Sequence, residues 1–229
     1  MIKFYFNGSP NPTKVALFLE EAGLPYEAIP VDTRKGQQFA PEYLGVNPNA
    51  KVPAIVDGDV TVFDSNAILL YLAEKTGKFL PPNTPAARGE LLSWLMFVAT
   101  GLGPFSGQAV HFRHFAPEKV AYAHNRYQYE AERHYGILDQ RLAGRRYIVG
   151  DTYTIVDMAA WGWGRMLPYM LGGEEAWAKF PNVKRLLDEI GARPAAVRAQ
   201  GLKDKHTFKA EMDEEARSHM FKHLARSVG

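Results

Sequence analysis

The chain has 229 residues, enough for two compact domains, and its 46% hydrophobic and 23% charged content supports buried cores and excludes a disordered polymer. Its 27 basic and 25 acidic side chains leave a net charge of +2, well short of the basic excess that backbone phosphate binding needs, so no nucleic-acid partner is expected. The absence of cysteine excludes disulfide staples, thiolate metal sites, a cysteine nucleophile and a CxxC pair, so any thiol chemistry must take its sulfur from a ligand.

Ile2 to Phe6 is aromatic and β-branched, which predicts a strand, and Asn7-Gly8-Ser9-Pro10 ends it with turn chemistry. A helix follows, with Asn11 as its expected cap and Pro12 at its first position. Val15, Phe18, Leu19 and Ala22 recur at helical spacing before Gly23. Tyr26 to Asp32 reads as a second strand. A polar stretch from Arg34 to Asn49 leads to a hairpin, in which Asp57-Gly58-Asp59 joins Val52–Val56 to Val60–Phe63. Asp64-Ser65 then opens a helix carrying Ile68, Leu69, Tyr71 and Leu72, and Lys75-Thr76-Gly77 closes it.

Pro81, Pro82 and Pro85 interrupt the chain without helical periodicity, as a linker would. Beyond them strand signals nearly vanish. Helices are predicted over Arg88–Val98, Pro117–Leu142, Thr154–Leu171 and Pro181–Ile190. The charged tail places Phe208, Met212, Met220, Phe221 and Leu224 where a final helix would align them, and a solvated extension fits the same residues. No segment reaches the roughly 18 apolar residues of a membrane-spanning helix, and Met1 to Phe6 is too short and strand-like for a signal peptide. A cytoplasmic protein without membrane attachment is expected.

Three junctions carry the candidate chemistry, and each has a plain structural alternative. Val52-Pro53 is either a trans edge-strand proline or a cis-proline that frees the Val52 backbone to pair with an extended peptide. Asp64-Ser65 is either a helix cap or a site where Ser65 and the helix amides hold a ligand carboxylate while Asp64 or a neighbour takes an ammonium. Ser9-Pro10-Asn11 is either turn and cap or a hydroxyl and an amide at the positive end of a helix, where a thiol pKa falls.

Taken in this order, these features resemble the glutathione transferase superfamily over roughly residues 1 to 200. Ser9-Pro10-Asn11, Lys35-Gly36-Gln37-Gln38-Phe39, Asn47-Pro48-Asn49, the Ala67–Gly77 run and Gly101-Leu102-Gly103-Pro104 are most similar to the bacterial Nu class and its fungal prion-protein-like relatives. Ser9 stands where that class usually has threonine, keeping the hydroxyl and losing a methyl. Thr154-Ile155-Val156-Asp157 has the capping-box form that family members place in a buried helix, which implies a folding role; an ordinary exposed box is the alternative.

The resemblance implies an α/β thioredoxin-like domain at 1–77, a linker at 78–86, an all-α C-terminal domain at 87–200 and a charged extension at 201–229. It implies Ser9 and Asn11 as the groups that polarise the sulfur. Gln38, Lys51, Val52, Pro53, Asp64 and Ser65 would bind glutathione, with Pro53 cis. His111, Phe112, Arg126 and Arg133 would line a second-substrate pocket. His111 and His114 lack carboxylate or cysteine neighbours, so no metal is expected. Glutathione is the implied cosubstrate and the homodimer the implied assembly; Tyr122, Arg126, Tyr127 and Arg133 offer a mixed aromatic and basic surface that would contribute to it. The implied reaction is reduction of small disulfides, with peroxides as a further substrate class. Conventional conjugation of electrophiles and a non-catalytic binding or assembly module are the alternatives.

Overall fold

β1 (Ile2–Phe6) buries Ile2, Phe4 and Phe6 on one face of its pleat, the alternation that a half-buried strand requires. In the computed structural model, which describes residues 1–222, it is the second strand of a four-stranded sheet ordered β2-β1-β3-β4. β2 (Tyr26–Pro30) pairs parallel to β1, from Ile2 opposite Tyr26 to Phe6 opposite Pro30. Pro30 is tolerated because β2 is an edge strand, where a missing N–H breaks no second ladder. β3 (Ala54–Asp57) runs antiparallel to β1 and to β4 (Val60–Phe63). Gly58, at φ +61°, supplies the left-handed residue of the hairpin loop between them.

α1 (Pro10–Ala22) starts one residue earlier than the sequence predicts: Ser9 occupies the cap position and Asn11 lies inside the first turn. Pro10, with its fixed φ, suits the first helical position as well as Pro12 does. The polar stretch after β2 contains two short 3₁₀ turns, Thr33–Lys35 and Gln37–Phe39, and then α2 (Pro41–Leu44). α3 (Ser65–Thr76) closes the first part of the chain.

By its contacts the chain divides into two units. One comprises Met1–Tyr71 with the stretch from Val197 to the end of the described residues, and the other is Leu72–Ala196. The sequence reading puts the first boundary at Gly77, whereas this division falls within α3.

The tail is built onto the first unit. Phe208 and His206 both set ring edges against Phe6, at 5.9 and 5.2 Å between centroids. Asp32 takes the backbone N–H of Arg34 on one carboxylate oxygen (3.0 Å) and that of Lys209 on the other (2.7 Å). Arg34 returns hydrogen bonds to the carbonyls of Lys209 and Ala210. The final helix, α11 (Glu214–Met220), is capped by Asp213 and buries Ala216 fully. Phe208 therefore packs on Phe6 and Ala216 is fully buried, while Met212, Met220 and Phe221 are half-buried; Leu224, the last of the stripe expected from sequence, lies outside the described residues.

The second unit is helical: α4 (Pro85–Phe97), α5 (Gly103–Val110), α6 (Ala121–Leu142), α7 (Ile155–Gly164), α8 (Leu167–Leu171), α9 (Pro181–Gly191) and, at the unit boundary, α10 (Pro194–Gly201). π-helical turns at Val98–Leu102 and His111–Phe115 flank α5. The helix expected over Thr154–Leu171 is two helices, separated by a turn at Arg165 and Met166, and Pro168 suits the first turn of the second. α6 begins at Ala121, four residues later than Pro117.

Thr154 caps α7 within a complete capping box, and both Thr154 and Asp157 are fully buried. The Asp157 carboxylate accepts N–H bonds from Ile148 (2.9 Å) and Thr154 (2.8 Å) and the Thr154 hydroxyl (3.1 Å). Burial nevertheless pushes its pKa up to about 6, the hydrogen bonds only partly offsetting the loss of hydration. The folding role expected of this pair is the one the contacts describe.

Candidate active site

Strand register brings the three candidate junctions to one end of the sheet. Tyr5 lies opposite Ala54, and Ala54 opposite Phe63. The chain that leaves β1 after Phe6, the chain that enters β3 through Val52-Pro53 and the chain that leaves β4 into Asp64-Ser65 therefore emerge side by side. With strands spaced about 4.8 Å apart, all three fall within reach of one small ligand.

The first junction is organised by Asn7. Its Oδ1 accepts both the backbone N–H of Ser9 (3.0 Å) and the Ser9 hydroxyl (2.6 Å), while its Nδ2 donates to Thr33 Oγ1 (3.3 Å). The Ser9 carbonyl accepts from the backbone and hydroxyl of Thr13. Pro10 and Pro12 carry no N–H, so this helix start has fewer amide donors than an ordinary one, and Asn11 between them supplies a backbone N–H and a side-chain amide. α1 has no acidic residue in its first turn to oppose an anion there.

At the second junction the Val52-Pro53 peptide is cis, as the resemblance implies. The Val52 side chain packs onto Val31, Tyr43 and Ala54 together with Tyr5 and Val46. Tyr43 and the buried Asn47 donate to the Lys51 carbonyl, at 2.5 and 2.6 Å, and Asn47 Oδ1 takes the Asn49 N–H (2.9 Å). These bonds fix the approach to Pro53, with the Lys51 side chain exposed.

At the third, Asp64 is the cap: its Oδ1 accepts the N–H groups of Asn66 (2.8 Å) and Ala67 (3.1 Å). Asp64 adopts φ +69°, a left-handed conformation rare for a residue with a side chain and found mostly where surrounding structure enforces it. Ser65, the first residue of α3, is buried.

Gln38 lies in the 3₁₀ turn Gln37–Phe39, and Thr33 is a partner both of Gln38 and of Asn7 at the first junction. Gln38 is 4% exposed, and its Nε2 donates to the carbonyls of Thr33 (3.2 Å) and of His219 in the tail (3.3 Å). Its Oε1 is buried without a hydrogen-bond partner among the described residues.

The remaining candidates belong to the second unit. Phe112 stacks on Tyr127 (5.2 Å, 13°), and His111 meets Phe112 edge-on (5.1 Å). Arg126 and Arg133, one on each side of Glu130 along α6, both bind its carboxylate, at 2.8 and 2.9 Å. The hydrogen bond from Arg133, with the charges of both guanidiniums, holds the Glu130 carboxyl below its usual range. Two cations on one anion leave this face with a net positive charge. The roles of Asn7, Tyr43 and Asn47 depend on tertiary contacts that no local sequence pattern marks, although Asn47 lies in one of the motifs that carry the resemblance.

Among the described residues no helix is long and apolar enough to cross a membrane, and no group of three or more His, Cys, Asp or Glu side chains is placed to hold a metal ion.

Known proteins are similar to this chain in sequence and fold. The glutathione S-transferase N-terminal domain family matches residues 1–74 and the C-terminal domain family residues 102–194. The disulfide-bond oxidoreductase YfcG of Escherichia coli (strain K12) is 44% identical over 213 residues, covering 87% of this chain and 94% of that protein. YghU of the same organism, also named a disulfide-bond oxidoreductase, is 41% identical over 217 residues, with 87% and 74% covered. Among solved structures, a Burkholderia graminis glutathione transferase with two glutathione molecules per subunit superposes with a TM-score of 0.83 at 38% identity, covering 90% of this chain and 89% of that one. A Pseudomonas putida glutathione transferase with one glutathione disulfide per subunit gives 0.80 at 35% identity, covering 87% and 90%. The chain belongs to the glutathione S-transferase family.

Proposed function

We propose that this protein is a glutathione-dependent oxidoreductase that reduces small disulfides with the thiols of bound glutathione, acting in the cytoplasm as a two-fold dimer of the Nu class. The observation that carries the reading is the empty cysteine inventory in a chain whose similar structures hold two glutathiones or one glutathione disulfide. One glutathione thiolate attacks a sulfur of the substrate disulfide, forming a mixed disulfide and releasing the first substrate thiolate. A second glutathione thiolate attacks the glutathione sulfur of that mixed disulfide, forming glutathione disulfide and releasing the second substrate thiolate, which takes up a proton. No protein sulfur enters either step.

In this reading the Val52 backbone pairs with the cysteinyl part of glutathione beside Pro53. Ser65 and Asp64 hold the γ-glutamyl end, with Lys51 and Gln38 flanking the tripeptide. The Ser9 hydroxyl and Asn11 stabilise the thiolate by hydrogen bonding at the start of α1. The hydroxyl must then turn from Asn7 Oδ1 toward the sulfur, while the Ser9 N–H keeps that oxygen as its partner. His111, Phe112, Arg126 and Arg133 are proposed contacts of the second substrate; the net positive charge of the two arginines suits a carboxylate-bearing molecule such as a second glutathione. The dimer accords with the commonest closed symmetry, and Tyr122 on α6, 82% exposed, is an aromatic side chain such a surface would cover.

A crystal structure with glutathione disulfide tests the placement. Density for two tripeptides, one lying against Val52 and Ser65, is expected. A ligand bound elsewhere contradicts it.

A further inference from the structure

Lys14 lies in α1, five residues after Ser9, within a run from Pro12 to Leu19 that is buried on all sides. It is 1% exposed, the one lysine or arginine buried among the described residues. A methionine would fill similar volume without taking a charge out of water. The Lys14 ammonium donates to Asn66 Oδ1 at 2.9 Å, joining α1 to the first turn of α3.

In that first turn the N–H groups of Asn66 and Ala67 both donate to Asp64 Oδ1, so two of the amide donors that a helix start offers an anion already serve one. A ligand carboxylate arriving at Ser65 meets the negative charge of Asp64 one residue away. Lys14 is the buried cation on the other side of Asn66.

We propose that Lys14 is a positioning residue for glutathione: acting through Asn66, its ammonium offsets Asp64 and lets the Ser65 helix start accept the γ-glutamyl carboxylate. The inference rests on the placement of the γ-glutamyl end at Ser65 given above. Burial lowers the Lys14 amine to about 8, against the opposing pull of Asp64, the charged group that acts on it, while Asn66 is neutral. The cation is present at neutral pH and is lost as pH rises through that value. Glutathione affinity falls with it.

The test is calorimetric binding of S-hexylglutathione, whose sulfur is blocked, to the wild type, Lys14→Arg and Lys14→Met from about pH 6 to about pH 9. The amino group of the ligand titrates equally against all three proteins, so affinity ratios isolate Lys14. Thermal melts identify any variant that fails to fold, and either variant alone suffices. Lys14→Met is expected to bind about tenfold more weakly at pH 7, the size of a lost charge-assisted contact. The wild type is expected to weaken relative to Lys14→Arg, and to approach Lys14→Met, as pH rises past about 8. Wild-type affinity in Lys14→Met at pH 7, or ratios that do not change with pH, would overturn the role of Lys14 alone. Failure of the wild type to bind at any pH would overturn the glutathione site, and Lys14 with it.

Discussion

One oxygen of Asn7 holds Ser9 twice, through the backbone N–H at 3.0 Å and the hydroxyl at 2.6 Å. The residue that fixes the proposed thiolate donor is thus two positions upstream of it, in the turn that ends β1. Removing the Ser9 hydroxyl in Ser9→Ala should slow disulfide reduction by a factor on the order of 10 to 1,000, the range for loss of a charge-stabilising donor, and Ser9→Thr should restore most of the rate. Turnover of Ser9→Ala at the wild-type rate would remove Ser9 from the chemistry.

Asn7→Asp keeps the shape and adds a negative charge beside Ser9. A like charge disfavours the thiolate, so the pKa of bound glutathione should rise and the rate at neutral pH should fall, with recovery at higher pH. Ultraviolet titration of the bound thiolate reads this directly. An unchanged or lowered thiol pKa would show that Asn7 lies outside the field of the sulfur.

Ser65→Ala should weaken glutathione binding by at least several-fold, because a hydrogen bond to a charged carboxylate contributes roughly 1.5 to 3 kcal/mol. Calorimetry on the folded variant settles the matter; unchanged affinity would leave Ser65 as a helix residue only.

Asp157 links folding to pH. Its native pKa of about 6 stands above the ordinary aspartate value of 3.8, so between these values the native state binds a proton that the unfolded state does not. The contribution of Asp157 to stability is therefore largest below about pH 4 and falls as pH rises through about 6, by up to about 2 to 3 kcal/mol. Denaturant melts of the wild type and Asp157→Asn should show the wild type losing ground relative to the variant between pH 4 and about 7. A constant difference would mean that the three hydrogen bonds compensate burial in full.

Docking of the tail gives a further expectation. Gly36 adopts φ +75°, and a Cβ there would lie 2.7 Å from His219 Nδ1; Arg34 binds two tail carbonyls. Arg34→Ala or Gly36→Val should raise hydrogen exchange in 32–39 and 207–220 together and leave the β1–β3 ladder unaffected. If 207–220 exchanges like free peptide in the wild type, the docked tail is wrong.

What the sequence showed was mostly local. Pro53, Asp64 and the Thr154 to Asp157 box announce themselves through backbone chemistry within a few residues, and β1 through the aromatic and β-branched content of Ile2 to Phe6. Ser9 was a cap in the structure where Asn11 was expected, because prolines at 10 and 12 serve the first turn equally well. Lys14 was hidden in a helix whose apolar periodicity it does not disturb. The Asp32 to Lys209 bond joins residues 177 apart, and neither end carries a pattern that names the other. The turn at Arg165 and Met166 and the π turns around α5 leave no periodicity signal strong enough to divide a helix in advance.

The central claim is tested most directly by assaying one preparation two ways: reduction of a small model disulfide by glutathione, coupled to a glutathione reductase, beside conjugation of a chloronitrobenzene. Reduction well above background and faster than conjugation is expected. Fast conjugation with reduction at background would contradict the account and assign the protein to conventional transferase chemistry.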